Sequence, residues 1–314
     1  MIKKKKITVV GAGFVGASVA YTLATRNLAH EIVIIDINKE KAIGEAVDIS
    51  HAAPIFGTVD VISGEYSDIK DSDIIILTAG VGRKPGETRM DLANKNIGIM
   101  KSIVDEIMKY YNGGIFIIVS NPVDVLTAMV TKWTGLPAGK VIGSGTSLDS
   151  IRLQQTLYPM YDVDVKEIDA CMIGEHGETQ FPFWSKANIC NVPITEYPKK
   201  DGTFITEEEM AKIGTDVKAS GSFIIKNKGA TYYGIASATS EIVNSIFSCA
   251  RKIIPVSMLK DDVCGFKNVA VSMPRIISGE GIVGEVPVKL SAKEEELMKK
   301  SAENVYSITK EFFN

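Results

Sequence analysis

Residues 7–16 read ITVVGAGFVG, four strand-like residues followed by glycines at positions 11, 13 and 16. A helical pattern follows directly, so the glycines lie at a strand-to-helix turn. The G-x-G-x-x-G spacing at such a turn predicts a dinucleotide site. Gly11 permits the tight turn, Gly13 lets the backbone approach a pyrophosphate, and Gly16 lets the helix pack closely on the strand. The phosphates would lie at the positive end of the helix.

Asp36 supports this interpretation, because it ends the second predicted strand twenty residues after Gly16. A carboxylate at that place would accept hydrogen bonds from the adenosine ribose. Its charge would also repel a 2′-phosphate, so the pattern predicts NAD rather than NADP. A glycine-rich turn with an unrelated surface aspartate is the alternative, and the agreement of strand, glycines, helix, strand and acid argues against it.

The first half of the chain alternates strand-like and helical segments. The runs IVIID, IIILTA and IFIIV are nearly all apolar, as expected for strands covered on both faces in a parallel sheet. We predict strands over residues 7–10, 31–36, 73–79, 115–120 and 140–142. Helices are predicted over 15–25, 39–51, 92–111 and 123–135. This order predicts an α/β protein with a doubly wound parallel sheet.

The pattern changes after residue 145. A helix is predicted to start near residue 147, strand-like pieces occupy 168–173 and 187–194, and helices cover about 207–225 and the residues after 231. Ser291 and Glu294 form a predicted capping box for a C-terminal helix. We therefore expect an NAD-binding domain over residues 1–146 and a mixed α/β substrate domain over 147–314.

The bulk composition is typical of a soluble globular protein, with 314 residues, 45% apolar residues and a formal charge of −3. That charge gives no support for nucleic-acid binding. Four lysines and an apolar run open the chain like a secretory signal, but the spaced glycines are better explained by the dinucleotide turn. No membrane span, metal site or disulfide framework is predicted, and the four cysteines indicate a cytoplasmic protein.

Three further stretches carry candidate chemistry. His176 lies in IGEHGE, between two glycines, where an imidazole could exchange a proton near neutral pH. Asp149 and Arg152 are three residues apart at a predicted helix start and could project from one face. The stretch SNPVD, residues 120–124, and the loop GVGRKPGETR, residues 80–89, both follow parallel strands. Ligands bind at the carboxyl ends of such strands, so the two loops should meet in one crevice.

Across its length the chain resembles the lactate/malate dehydrogenase family. The motifs GAGFVG, ILTAG, KPGETR, SNPVDVLT, VIGSGTSLDSIR, IGEHGE and KGATYYGIA occur in the family's order and spacing. The resemblance implies a Rossmann domain that binds NAD, followed by a substrate domain, in an NAD-dependent 2-hydroxy acid dehydrogenase. It also implies a homo-oligomer, a tetramer or a dimer.

The resemblance assigns roles to individual side chains. His176 would donate a proton to the carbonyl of a 2-oxo acid, and Asp149 would hold its ring and favour the imidazolium. Arg152 would bind the substrate carboxylate through a bidentate pair. Arg89 would polarise the carbonyl when its loop closes, and Asn121 would help to position that carbonyl. Thr231 completes the expected substrate contacts, while the expected cofactor contacts are Gly11, Gly13, Phe14, Val15, Gly16, Asp36, Gly80, Asn96, Val119, Ser120 and Asn121.

Arg83 bears on the choice of substrate. In this family lactate enzymes carry Gln at this place and malate enzymes carry Arg. A guanidinium buried against the methyl group of pyruvate would lack a partner, whereas oxaloacetate offers a second carboxylate. We therefore expect a malate dehydrogenase of the tricarboxylic acid cycle, acting on oxaloacetate and malate, with some pyruvate activity.

Other residues favour different functions. Glu87, Thr88 and Thr231 resemble the lactate side of the family, so an L-lactate dehydrogenase is the main alternative. A Rossmann protein that binds NAD without catalysis is the third possibility. It would be expected to have lost Arg89, Asp149, Arg152 or His176, and all four are present.

Overall fold

The computed structural model describes residues 4–82, 86 and 88–313, without the side chain of Arg89. Eight helices occur in the described part: α1 Phe14–Thr25, α2 Lys39–Ala52, α3 Arg89–Met108, α4 Val123–Thr134, α5 Ser147–Leu157, α6 Glu207–Lys228, α7 Tyr233–Phe247 and α8 Ala292–Phe313. Its strands are β1 Lys6–Val10, β2 Glu31–Ile35, β3 Asp60–Ser63, β4 Ile74–Leu77, β5 Ile115–Ile118, β6 Val141–Gly143, β7 Ile168–Asp169, β8 Met172–Ile173, β9 Phe181–Pro182, β10 Asn188–Ile189, β11 Val192–Pro193, β12 Lys252–Val263, β13 Phe266–Ser278 and β14 Gly281–Glu285.

Strands β1 to β6 pair in parallel in the order β3-β2-β1-β4-β5-β6. This is the strand order of a doubly wound dinucleotide-binding sheet, with its switch point between β1 and β4. Strands β4 and β5 are buried along their whole length, which explains why their sequences do not alternate between apolar and polar residues. The switch point places a crevice beside the turn that follows β1.

An antiparallel extension continues the same sheet on the β6 side. Strand β12 pairs with β6 at a single position, Ser257 opposite Gly143, and then runs antiparallel to β13, which pairs with β14. Among the described residues the sheet therefore has nine strands. The extension matters for the site because its long strands reach the loops of the second half of the chain.

The second half packs helices and small sheets against this extension. Helix α5 contacts α6, α7 and β12, while α8 lies on β13 and α4. A separate apolar cluster joins α5 to the short strands β7, β8 and β10, with Leu153, Leu157 and Met172 at its centre. The fold is therefore a Rossmann-like sheet with helices plus an α/β C-terminal part, which confirms the predicted fold class.

Most of the predicted elements are present, and the misses have physical reasons. Strand β3, DVIS, is a four-residue edge strand with one fully buried position, so its apolar pattern is weak. The long strands β12 and β13 were also not predicted. Each of them contains a proline, at Pro255 and Pro274, and charged residues at one end, which weakens a strand pattern. The boundary between residues 146 and 147 stays a prediction.

None of the helices in residues 4–82 and 88–313 combines the length with the apolar run needed to cross a lipid bilayer.

Candidate active site

The glycine turn after β1 has a different constraint at each glycine. Gly11 has a φ of +111°, and a Cβ added there would lie 2.7 Å from Thr78 Oγ1. A Cβ at Gly16 would lie 1.8 Å from the carbonyl oxygen of Gly11, so α1 can pack here only without a side chain. A Cβ at Gly13 would meet no atom within 4 Å. The fold therefore requires Gly11 and Gly16, whereas the open space at Gly13 fits the approach of a ligand.

Asp36 fixes the shape of this turn. Its Oδ2 accepts the N–H of Ala12 at 2.6 Å, and its Oδ1 accepts the N–H of Asn38 at 2.8 Å. A carboxylate has about four acceptor positions, so further hydrogen bonds to a ribose remain available. Beside the turn, the exposed ring of Phe14 stacks on Tyr232 at 5.4 Å, while Val15 packs against the core.

Asn96, on α3, joins two of the loops at the crevice. Its Oδ1 accepts the N–H of Val81 at 2.9 Å, and its Nδ2 donates to the carbonyl oxygens of Val81 at 3.1 Å and Asn121 at 2.7 Å. Gly80 lies close by, since a Cβ there would be 3.4 Å from Asn96 Oδ1. The side-chain amide of Asn96 is therefore hydrogen-bonded to the backbone of two loops. These bonds do not support the predicted contact between Asn96 and the cofactor.

The loop after β5 is held in a similar way. The Ser120 hydroxyl donates to the carbonyl oxygen of Ala79 at 2.6 Å, and Val119 is buried beside it. Asn121 comes next and is exposed at the carboxyl end of the strand. Its backbone carbonyl oxygen accepts the amide of Asn96, while its side chain remains open to a ligand.

His176 and Asp149 form a close pair at the centre of the site. His176 Nδ1 lies 2.6 Å from Asp149 Oδ2, and Asp149 is 1% exposed. An ionised carboxylate can only accept, so Nδ1 must carry the proton of this hydrogen bond. Nε2 is then the nitrogen left for a bound molecule, and 25% of the side-chain surface of His176 is exposed.

The charges of this pair shift both pKa values. Burial alone would lower the pKa of His176, but the Asp149 carboxylate outweighs it, and the net pKa lies above its ordinary value of 6.5. Burial alone would raise the pKa of Asp149, but His176 and Arg152 hold it below its usual range. The Asp149 carboxylate therefore stabilises the imidazolium form of His176.

Arg152 lies one helical turn after Asp149 on α5. Its Nη1 donates to Asp149 Oδ1 at 3.0 Å, and the side chain is 15% exposed. Within the described residues its Nε and Nη2 groups have no acceptor, so the planar fork retains donors for an anion. Gly221 of α6 faces it, since a Cβ there would lie 3.9 Å from Nη1.

The remaining predicted substrate residues are less fully described. Thr231 is half-buried between α6 and α7. Arg89 begins α3, but its side chain lies outside the described residues, as do Arg83 and Glu87 entirely. Thr88 is the N-cap of α3, where its Oγ1 accepts the N–H of Asp91 at 3.1 Å.

Asp124 was not predicted as a site residue, although it is the last residue of the stretch SNPVD. The Asp124 carboxylate accepts the backbone N–H of His176 at 2.7 Å, and so connects the loop that carries His176 to the start of α4. The available signal was the apolar run VDVLTAMV. An acid within a helix buried on all sides must have partners, because an unpaired buried charge is costly.

Two family models together match nearly the whole chain. Residues 5–143 match the lactate/malate dehydrogenase NAD binding domain, and residues 146–314 match the lactate/malate dehydrogenase alpha/beta C-terminal domain. The chain belongs to the lactate/malate dehydrogenase family. NAD is its cofactor, in agreement with the open Gly13 position, and its substrate is a small molecule.

Individual relatives of the chain are named as lactate dehydrogenases. An L-lactate dehydrogenase of Lacticaseibacillus casei is 42% identical over 98% of this chain and 94% of the relative. One of Clostridium botulinum is 42% identical over 97% of both chains. Among solved structures, a lactate dehydrogenase from a Medee basin deep-sea metagenome library covers 100% of both chains, with a TM-score of 0.94 and 36% identity. The L-lactate dehydrogenase of Clostridium thermocellum has a TM-score of 0.85 and 44% identity, over 99% of this chain and 100% of its own.

The expectation of a malate dehydrogenase is therefore wrong. The relatives that cover nearly the whole chain are named lactate or L-lactate dehydrogenases, and these names favour the alternative that the sequence analysis left open. The expectation relied on a single residue, Arg83, and assumed that its guanidinium is sealed from water against the substrate. A guanidinium that keeps contact with water loses little by lacking a carboxylate partner, so an arginine alone does not demand a dicarboxylate.

Alanine substitutions at Gly13 and Gly16 separate the effect on NADH binding from the effect on stability. Gly13→Ala should fold like the parent, because its Cβ meets no protein atom, but it should weaken NADH binding about tenfold or more by obstructing the backbone approach. Gly16→Ala should lower the melting temperature, because its Cβ overlaps the Gly11 carbonyl. Thermal unfolding and NADH fluorescence titration measure the two effects. Unchanged NADH affinity in a folded Gly13→Ala would contradict a pyrophosphate at this turn.

Proposed function

We propose that this protein is an NAD-dependent L-lactate dehydrogenase that interconverts pyruvate and L-lactate. The observation that carries the proposal is the His176–Asp149 pair, with Arg152 bound to the same carboxylate, in a chain whose first half matches an NAD-binding domain. The names of the relatives support the choice of substrate and of the L-stereoisomer, since they match over nearly the full length of this chain.

The pair fits a proton donor to the substrate carbonyl. In the reducing direction His176 begins as an imidazolium and gives the Nε2 proton to the oxygen that becomes the hydroxyl. In the oxidising direction the neutral ring takes it back. Asp149 keeps Nδ1 protonated and the ring oriented, as a buried carboxylate beside a histidine does. NADH, when bound at the glycine turn, supplies the hydride.

Arg152 fits the carboxylate that pyruvate and lactate share. Its free donors lie beside the catalytic pair, and a guanidinium fork binds a carboxylate through two parallel hydrogen bonds. We also propose that Asn121 and Thr231 contact the substrate, and that Arg89 polarises the carbonyl. These roles come from the resemblance, and they agree with the position of Asn121 at the carboxyl end of β5.

We further propose a homo-oligomer in the cytoplasm. The four free cysteines fit a reducing compartment. Ile43 and Val47 on α2, with Ile55 and Phe56 just after it, expose between 48% and 80% of their surface, as expected for a face that a second copy covers. The family resemblance favours a tetramer.

A comparison of two substrates tests the proposed function directly. With NADH present, we expect kcat/KM for pyruvate to exceed that for oxaloacetate, measured by the loss of NADH absorbance. Arg152→Lys keeps the charge but loses the fork, so kcat/KM for pyruvate should fall about tenfold or more while NADH affinity stays unchanged. A higher kcat/KM of the parent for oxaloacetate than for pyruvate would refute the lactate assignment.

The raised pKa of His176 fixes the form of the pH profile. The kcat/KM for pyruvate should be constant at low pH and fall as the pH rises through the His176 pKa, which lies above 6.5. Asp149→Asn removes the charge that raises this pKa, so the fall should begin at lower pH and kcat should drop about a hundredfold. Asp105→Asn, on the exposed face of α3, is the matched control and should keep the parental profile. Identical profiles for all three proteins would show that Asp149 does not support His176.

A further inference from the structure

Asp124 is a buried carboxylate for which the proposed reaction gives no role. It is the second residue of α4 and only 2% exposed, within nine consecutive buried residues, 123–131. Burial raises its pKa to about 6, although the hydrogen bonds it accepts act in the opposite direction. A buried carboxylate costs free energy unless its oxygens have hydrogen-bond partners. The partners of Asp124 therefore indicate its role.

Both oxygens of Asp124 accept hydrogen bonds from other parts of the fold. Oδ2 accepts the backbone N–H of His176 at 2.7 Å, and Oδ1 accepts the hydroxyl of Ser257, on β12, at 2.5 Å. The carboxylate therefore joins the start of α4, the middle of β12 and the loop after β8. Because the N–H belongs to His176 itself, this bond fixes the backbone from which the imidazole projects.

Charged groups act on Asp124 from the loop after β8 and from β13. Glu175 and His176 face it from the loop after β8, and they raise and lower its pKa respectively. Arg275, on β13, is 1% exposed, and the Asp124 charge opposes the effect of burial on the Arg275 pKa, which is lowered to about 10. Arg275 Nη1 donates to the carbonyl oxygen of Val256, next to Ser257, at 2.5 Å. Arg275 Nε also lies 3.4 Å from Glu285 Oε1, so this buried cation interacts with Glu285 as well as with the charge of Asp124.

We propose that Asp124 is a positioning residue for His176, which holds the loop of the proton donor through the His176 N–H and adds a second negative charge near the imidazole. The proposal rests on the proposed role of His176 as proton donor. Asp149 sets the tautomer and orientation of the ring, while Asp124 sets the position of the backbone behind it. The Asp124 charge also contributes to the raised pKa of His176.

Two substitutions separate the hydrogen bonds from the charge. In Asp124→Asn, the amide oxygen can still accept the His176 N–H and the amide nitrogen can donate to the Ser257 hydroxyl, so the geometry survives without the charge. Asp124→Ala loses both bonds. We expect Asp124→Ala to lose about tenfold or more in kcat for pyruvate reduction, with NADH affinity within about twofold of the parent. Asp124→Asn should keep most of kcat, while its pH profile begins to fall at lower pH.

Serine variants supply matched controls for the same measurements. Ser257→Ala removes only the partner of Oδ1, so its loss of kcat should be smaller than that of Asp124→Ala. Ser245→Ala removes an equally buried hydroxyl on α7, which donates to the Glu241 carbonyl, and should leave kcat unchanged. Melting temperature and NADH affinity report on the folding of each variant. If Asp124→Ala does not fold, the kcat and pH profile of Asp124→Asn test the proposal.

The outcomes distinguish this proposal from the proposed function. If the parent reduces pyruvate but the Asp124 variants keep its kcat and its pH profile, only the positioning role is overturned. It is also overturned if kcat and NADH affinity fall in parallel with stability, because that is the signature of a structural role alone. If the parent does not reduce pyruvate, both proposals fail together.

Discussion

The 2.6 Å hydrogen bond between His176 Nδ1 and Asp149 Oδ2 is the interaction on which the proposed chemistry depends. Burial of an imidazole favours its neutral form, and the Asp149 carboxylate is the largest influence that raises the His176 pKa against this effect. The same carboxylate accepts a hydrogen bond from Arg152, which keeps the guanidinium beside the ring. One aspartate therefore orients both the proposed proton donor and the proposed anion-binding group.

The antiparallel extension of the sheet keeps this interaction in place. Gly174, two residues before His176, exchanges backbone hydrogen bonds of 2.9 and 3.0 Å with Ser272 of β13. Glu175 accepts a hydrogen bond of 2.7 Å from Asn304 of α8, and Asp124 holds His176 from α4. Three separate elements, β13, α8 and α4, thus anchor the loop between β8 and β9. The glycine turn after β1 is held in place by the Asp36 carboxylate and by the close packing at Gly16.

The parts of the fold that depend on local pattern could be predicted from the sequence. Apolar runs gave the central strands, glycine spacing gave the turn after β1, and Ser291 with Glu294 gave the cap of α8, where Glu294 Oε2 accepts the N–H of Ser291 at 2.9 Å. The pairing of His176 with Asp149 was expected from the family resemblance, and the structure brings the two side chains together. Contacts between distant segments, such as Asp124 with His176, have no local signature. The choice of substrate failed because one residue, Arg83, was given more weight than Glu87, Thr88 and Thr231, which resemble the lactate side of the family.

The most direct measurement is an NMR titration of the histidine side chains in the ligand-free protein. The chain has only three histidines, His30, His51 and His176, so a His176→Gln variant assigns the signal. The account predicts a His176 pKa above 6.5, because the Asp149 charge outweighs burial. A pKa at or below 6.5 would mean that burial outweighs the Asp149 charge. That result would contradict the claim that Asp149 stabilises the imidazolium of His176.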